Sequence, residues 1–125
     1  RWRARYLAVD PGPALAQRIE ARAAAMLDGA WQEEVKALAG HVPADAPAWK
    51  ASGYAAVRAL VEGTRSLEET RERVIVETRQ YAKRQRTWFR HQLPAAGVTA
   101  LDPSHAEWQA VARRWWQEST EADQA

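Results

Sequence analysis

The stretch TRQYAKRQRTWFR, residues 78–90, decides how the fold of this chain is interpreted. At 100° per residue, a helix through it places four cations within about 60° of one another. These cations are Arg79, Lys83, Arg86 and Arg90. Tyr81 and Trp88 fall on the opposite side of the helix, with Phe89 at the flank. We therefore expect a helix with one basic side and one side that faces a core.

The charge balance of the surrounding sequence favours an anionic partner. From Arg71 to Arg90 there are seven basic residues and only two acidic ones, Glu72 and Glu77. A solvated surface helix more often alternates its charges one turn apart. An extended basic stripe of this kind suits a phosphate backbone, so nucleic acid is the expected ligand.

The basic stretch belongs to a long helix, which we predict over residues 67–92. Ser66 and Glu69 have the spacing of a capping box, in which each side chain accepts a hydrogen bond from the backbone N–H of the other residue. Pro94 stops the helix. The long helix therefore has a signal at each end.

Apolar periodicity and turn residues predict four more helices. They are expected at residues 13–28, 31–39 and 50–62 and from residue 102 onward, with a proline-containing loop at 41–49. Short strands are expected at residues 6–9 and 98–101. The predicted fold class is mainly α, with five helices and one or two short strands.

Helical spacing assigns rows of apolar residues to the core. The residues expected inside are Leu15, Ile19, Ala23, Met26, Leu27, Trp31, Val35, Leu38, Tyr54, Val57, Leu60, Val61, Trp108, Val111 and Trp115. Trp116 is left beside the last row, either exposed or covering a joint with other sequence. Gly53 costs about 1 kcal/mol relative to Ala in a helix. Its missing side chain is expected to permit either close helix packing or a ligand near the backbone.

Length and composition fit one domain. The chain has 125 residues, 46% of them hydrophobic, and a net charge of +2, so basic character is local rather than global. It has no cysteine, which excludes a disulfide framework, a zinc–thiolate site and a thiol nucleophile. No apolar run approaches the roughly 18 residues of a membrane span. Because the sequence opens at Arg1 without an initiator Met, we expect a piece of a longer protein.

Residues with catalytic potential are few. His41, His91 and His105 lack the partners or carboxylate cluster of a metal site, and the glycines are spaced singly rather than as a phosphate-binding loop. Arg18 and Arg22 lie one turn apart and away from the apolar row, as a solvated basic pair would. By its own residues, the chain is expected to bind and stabilise negative charge.

Six motifs in chain order carry a family resemblance. They are RIEAR (18–22), MLDG (26–29), EV (34–35), SGY (52–54), LVEG (60–63) and TRQYAKRQRTWFR (78–90). Together they resemble the C-terminal portion of tRNA dimethylallyltransferase, also called tRNA isopentenyltransferase. The similarity covers about residues 6–102, and the last motif is specific to that family.

The resemblance implies the helical C-terminal part of a P-loop-type α/β transferase, an enzyme of the cytoplasm. Such an enzyme moves a dimethylallyl group from its diphosphate to N6 of the adenosine 3′ to the anticodon, assisted by magnesium. The implied partners are the tRNA anticodon stem-loop and dimethylallyl diphosphate, and the implied state is a monomer. Residues 1–118 would form this single portion and 119–125 a frayed tail. The phosphate loop, the aspartate base and the magnesium ligands would lie outside this chain, so by itself it is expected to be inactive.

The resemblance also assigns roles to individual residues. Arg22 matches an arginine that supports the leaving diphosphate, with Arg18 as its neighbour. A bidentate guanidinium suits a leaving group that gains charge. The implied tRNA contacts are Lys50, Ser52, Gly53, Tyr54, Arg79, Lys83, Arg84, Gln85, Arg86, Thr87 and Arg90. The sequence departs from the family at Ser52, usually aliphatic, and at Ala55, usually Arg or Lys, so one phosphate contact is expected to be missing.

Two other hypotheses stand beside this one. A free-standing helical module would bind RNA or DNA by charge alone, without preference for an anticodon stem-loop. A protein-interaction domain would instead use the tryptophans between residues 108 and 116 as an interface. Preference for an anticodon stem-loop separates the first two hypotheses, and dimerisation without RNA binding would favour the third.

Overall fold

A computed structural model describes residues 4–124, with side chains through Ser119. Its elements in chain order are β1 (Tyr6–Val9), α1 (Ala14–Asp28), α2 (Trp31–Ala39), a 3₁₀ turn (Pro47–Lys50), α3 (Tyr54–Val61), α4 (Leu67–Gln92), β2 (Val98–Leu101) and α5 (Trp108–Gln124). Five helices and two short strands in the described residues confirm the predicted, mainly α fold class. None of these helices combines the length and apolar content needed to cross a membrane.

The chain divides into two compact units. The first, which we call the helical unit, is Ala16–Arg84 and contains α2, α3 and most of α1 and α4. The second, which we call the sheet unit, contains β1, β2, α5 and the end of α4 from Gln85. The single portion 1–118 stays a prediction, and the backbone of the expected tail is helical as far as Gln124.

The core of the helical unit is formed by the apolar rows of α1 and α2 with α3 and α4. Its buried members are Ala23, Leu27, Trp31, Val35, Trp49, Ala56, Val57 and Val74. The rows predicted for the first two helices are confirmed: Ile19, Ala23 and Leu27 are buried on α1, and Trp31 and Val35 on α2.

The start of α3 differs from the prediction because of Gly53. This residue has φ +85°, in the left-handed region, so the helix begins after it at Tyr54 rather than at residue 50. A Cβ on Gly53 would lie 2.5 Å from Cη2 and 3.1 Å from Cζ2 of the Trp31 ring. Close packing, one of the two explanations expected for this glycine, therefore accounts for it without a ligand.

Tyr54 packs beside this contact. Its ring meets that of Trp31 edge to face, with centroids 5.5 Å apart, and its hydroxyl donates to Oε1 of Glu34 at 2.8 Å. The hydrogen bond to Glu34 is the main cause that raises the pKa of Tyr54. Tyr54 is thus held by protein contacts at both its ring and its hydroxyl.

The capping box of α4 is confirmed. The Ser66 N–H donates to Oε2 of Glu69 at 2.9 Å, and the Glu69 N–H donates to Oγ of Ser66 at 3.2 Å. The hydrogen bond from the Ser66 N–H favours the charged carboxylate and is the main cause that lowers the pKa of Glu69. The helix runs over Leu67–Gln92, as predicted.

The prediction that the aromatic side of α4 faces a core is wrong. Tyr81 is 50% exposed, Trp88 56% and Phe89 45%. The packed row instead advances four residues at a time, through Thr70, Val74, Thr78, Ala82 and Arg86, which are buried or half-buried. Each step of four residues turns the row by about 40°, so the row begins at Thr70 on the same side of the helix as Tyr81 but lies about 100° away from it at Ala82.

In the sheet unit, β1 and β2 pair in parallel, with Tyr6 opposite Val98 and Val9 opposite Leu101. Leu101 is buried, and α5 contacts β2. Arg5 bonds to Oγ of Ser119 at 2.9 Å and lies over the Trp115 ring at 5.7 Å. These contacts fasten the N-terminal strand region to α5.

Helix α5 departs from its prediction in two ways. It begins at Trp108 rather than near residue 102, because the Asp102 carboxylate accepts the Ser104 N–H at 2.8 Å and holds a turn there. Trp108 and Val111 were expected in the core, but both are exposed, while Trp115 is half-buried. The short β2 strand offers too little surface to cover the whole helix face.

Candidate nucleic-acid interface

A groove of about 830 Å³ lies in the helical unit, between the segment around the 3₁₀ turn and one side of α4. It is lined by Trp49, Lys50, Ala51, Ser52, Ala55, Glu77, Gln80, Tyr81 and Arg84. Three of these, Lys50, Ser52 and Arg84, are residues for which the family resemblance implies a tRNA contact. The fold therefore brings together two predicted segments that lie about 30 residues apart in the sequence.

The α4 wall of the groove is polar and aromatic. Glu77, Gln80, Tyr81 and Arg84 are spaced by three, one and three residues, which places them within about 100° on one side of the helix. The Arg84 guanidinium lies over the Tyr81 ring, 5.9 Å from its centroid. This wall presents a cation and an aromatic ring together.

The opposite wall is built on Trp49. Its ring is buried, and its indole N–H donates to the Pro43 carbonyl at 2.9 Å. The Arg58 guanidinium lies over the same ring at 4.5 Å and is held by Oε1 of Glu62 at 2.7 Å. The exposed side chains of Lys50 and Ser52 follow directly from this anchored residue. The wall is fixed by the protein, whereas its polar groups reach solvent.

Among the described residues, Glu77 is the one carboxylate that lines the groove, and it is engaged by protein donors. Oε1 of Glu77 accepts from Nε of Arg73 at 2.6 Å, and Oε2 accepts from the Gly53 N–H at 3.3 Å. Lys50 and Arg84 add two positive charges to this single negative one. The groove as a whole therefore favours an anion.

The basic stripe predicted on α4 does not lie on the groove wall. Its side of the helix is roughly 130° around the axis from Arg84. Arg79 forms an ion pair with Glu20. Arg86 donates to Oδ1 of Asp10 at 2.5 Å and to the Gly12 carbonyl at 2.9 Å. Counting local charges could not reveal these pairs, because the acidic partners lie 59 and 76 residues away in sequence.

The contact of Arg86 organises the turn after β1. Gly12 has φ +59°, and its N–H donates to Oδ1 of Asp10 at 2.8 Å, so one carboxylate oxygen holds both the turn and the guanidinium. The hydrogen bond from Arg86 is the main cause that lowers the pKa of Asp10. Arg86 thus has a structural role within the sheet unit.

The remaining predicted residues of α4 are on the surface. Lys83, Gln85, Thr87 and Arg90 are exposed. Ala55 lines the groove at the place where a cation was expected, so the predicted loss of one phosphate contact concerns this groove. Gly53 and Tyr54 do not line the groove. Gly53 donates to the lining residue Glu77, and Tyr54 packs against the buried ring of Trp31.

The groove residues without a predicted binding role include Tyr81 and Gln80. Tyr81 was assigned to the core, and Gln80 was assigned no role, yet both line the groove with Arg84. The spacing of Tyr81 and Arg84, three residues apart on a helix, was the available signal. This spacing indicates a binding groove only when the facing wall around Trp49 is known, and Trp49 lies more than 30 residues earlier in the sequence.

The diphosphate residues of the prediction lie on α1. Arg18 and Arg22 are both exposed, and neither forms an ion pair with any residue that the structure describes. Among the described residues, no group of three or more His, Asp or Glu side chains could hold a metal ion. The part of the chain that the structure describes therefore does not fit a magnesium site.

Comparison with known proteins gives one consistent answer. The family model described as IPP transferase matches residues 1–92. A tRNA dimethylallyltransferase from Deinococcus radiodurans is 39% identical over 108 residues, covering 83% of this chain and 35% of that protein. One from Nitrobacter hamburgensis is 46% identical over 110 residues, covering 87% and 34%.

A solved structure agrees with these relatives. The tRNA delta(2)-isopentenylpyrophosphate transferase of Staphylococcus epidermidis superimposes with a TM-score of 0.78 at 25% identity, covering 93% of this chain and 36% of that one. The relatives define a class of transferases named for the tRNA they act on. This chain belongs to the IPP transferase family. It spans about a third of the length of the relatives it matches.

Proposed function

We propose that this chain is the C-terminal, tRNA-contacting portion of a tRNA dimethylallyltransferase. The observation that carries the proposal is the groove in which Lys50, Ser52 and Arg84 meet, in a chain of the IPP transferase family. Two cations and a hydroxyl on fixed walls suit the phosphates and ribose of RNA. The ligand is the anticodon stem-loop of tRNA, bound by a monomeric enzyme of the cytoplasm.

The reaction of the complete enzyme forms a bond between N6 of adenosine and a dimethylallyl carbon. The bond from that carbon to the diphosphate oxygen breaks, the diphosphate keeps the electron pair, and N6 gives its proton to the aspartate base that the family resemblance implies outside this chain. Arg22, exposed on α1, stabilises the charge that develops on the leaving diphosphate, with Arg18 one turn away. Magnesium supplies further charge stabilisation when bound, but we assign it no residue of this chain.

Charge reversal in the groove tests this proposal. In the complete protein, Lys50→Glu with Arg84→Glu should weaken binding of an anticodon stem-loop RNA at least tenfold, because two phosphate contacts become repulsive. The slope of log affinity against log salt should fall by about 1 per lost contact. Affinity is measured by fluorescence anisotropy over a range of salt concentrations.

The matched control is a double charge reversal outside the groove. Lys36→Glu with Arg113→Glu changes net charge equally at two exposed residues that do not line the groove. If both double variants lose the same affinity, binding follows overall charge, and the groove is not the RNA site.

A further inference from the structure

Tyr81 is an exposed aromatic residue whose place in the fold is not explained by packing. Half of its surface is accessible, and it lies outside the buried core of the helical unit. It lines the groove together with Lys50, Ser52 and Arg84. Proteins use an exposed ring beside cations and a hydroxyl to bind single-stranded nucleic acid.

The geometry around the ring is that of a stacking platform. Arg84 lies one helical turn after Tyr81, with its guanidinium 5.9 Å from the ring centroid, so the cation and the ring act at one place. Gln80 lines the same wall, and its amide offers both a donor and an acceptor to the edge of a base. The cavity of about 830 Å³ lies within the range of small-ligand sites, so it can admit a nucleotide.

We infer that Tyr81 is the stacking residue for one unpaired base of the bound RNA loop, while Arg84 and Lys50 hold the phosphates that flank that base. The inference rests on the proposed function and adds a particular residue and a particular kind of contact to it. Stacking accepts any base, because every base has a π face. Tyr81 therefore contributes affinity for an unpaired base, and Gln80 is the neighbouring group that can distinguish base edges.

Substitutions at Tyr81 in the complete protein test the contact. Tyr81→Ala should weaken binding of an anticodon stem-loop RNA about 5- to 150-fold, the equivalent of about 1–3 kcal/mol. Tyr81→Phe keeps the ring and should stay within about threefold of the unaltered protein. Tyr81→Leu keeps an apolar side chain without a π face and should resemble Tyr81→Ala. Urea unfolding of each variant verifies that the half-exposed site has not lost its fold.

An abasic scan of the RNA loop identifies the base. One abasic position should weaken binding to the unaltered protein but cause no further loss with Tyr81→Ala, because the ring and the base are the two halves of one contact. If Tyr81→Leu binds as well as Tyr81→Phe, or if no loop position is coupled to Tyr81, the stacking inference is overturned.

The two proposals fail in distinguishable ways. Loss of binding on reversal of Lys50 and Arg84, with full binding by Tyr81→Ala, would overturn the stacking contact and leave the groove as the RNA site. Full binding by both the reversed-charge protein and Tyr81→Ala would overturn the proposed function together with this inference.

Discussion

The two units of the chain differ in how far their apolar side chains are buried. Among the described residues, nine buried apolar side chains belong to the helical unit, and only Leu101 belongs to the sheet unit. Trp31 is 6% exposed in the helical unit, whereas Trp88 and Trp116 of the sheet unit are 56% and 65% exposed. Three or four helices can enclose a ring, but a two-stranded sheet and one helix cannot. The helical unit is therefore stabilised by its core, and the sheet unit relies more on polar contacts.

The largest expected difference between the units is the response to loss of a tryptophan. Trp31→Ala should lower the free energy of unfolding by about 3–5 kcal/mol, because it leaves a cavity in a closed core. Trp116→Ala should change it by no more than about 0.5 kcal/mol, as expected for an exposed site. Urea unfolding followed by circular dichroism measures both. Equal losses would show that the sheet unit encloses its rings as completely as the helical unit does.

A smaller effect is expected from the packing of Gly53 against Trp31. Gly53→Ala and Gly63→Ala both place a side chain at positive φ, +85° and +76°, which costs about 1–2 kcal/mol each. A Cβ at Gly63 meets nothing within 4 Å, whereas at Gly53 it lies 2.5 Å from the Trp31 ring. The clash should add about 1–3 kcal/mol to the loss at Gly53 alone.

Thermal unfolding of the two alanine variants without RNA measures this difference. Because Gly63→Ala carries the same backbone cost, it removes the conformational effect from the comparison. Similar losses at the two glycines would mean that the Trp31 ring moves aside, and the close packing inferred for Gly53 would then be wrong.

Local signals in the sequence were enough to predict the elements of the helical unit. The capping box at Ser66 and Glu69 and the glycines after α1 and α2 mark helix ends through contacts a few residues apart. The start of α3 was missed because it depends on the positive φ of Gly53, a residue that packs against a ring 22 residues earlier. Local sequence signals therefore predicted which helices exist, whereas packing between residues distant in sequence affected where a helix begins.

The candidate site was predictable only in part. Lys50, Ser52 and Arg84 came from the family resemblance, and the fold places all three in one groove. The role of Tyr81 was missed because the prediction expects the side of the helix opposite the cations to face the core, whereas the packed row of α4 turns away from that side through Thr78 and Ala82. The ion pairs of the basic stripe were missed because both carboxylates lie far away in the sequence.

The smallest expected effect concerns the polar contact that fastens the turn after β1 in the sheet unit. Arg86 lowers the pKa of Asp10, so the pair adds stability that is fully present above the unfolded pKa of about 3.9 and is lost as pH falls through the lower folded pKa. Both side chains are partly exposed, so a coupling of about 0.2–1 kcal/mol is expected near neutral pH.

A double-mutant cycle with Asp10→Asn and Arg86→Gln, followed by urea unfolding from pH 7 to pH 2.5, measures this coupling. Arg86→Gln alone should keep part of its effect at low pH, because the Gly12 carbonyl accepts from the guanidinium whatever the state of the carboxylate. A coupling that stays constant down to pH 2.5 would mean that the carboxylate charge does not hold the turn. Trp31→Ala should lower the free energy of unfolding equally at both ends of the pH range, because Trp31 stabilises the fold by packing and not through a group that titrates there.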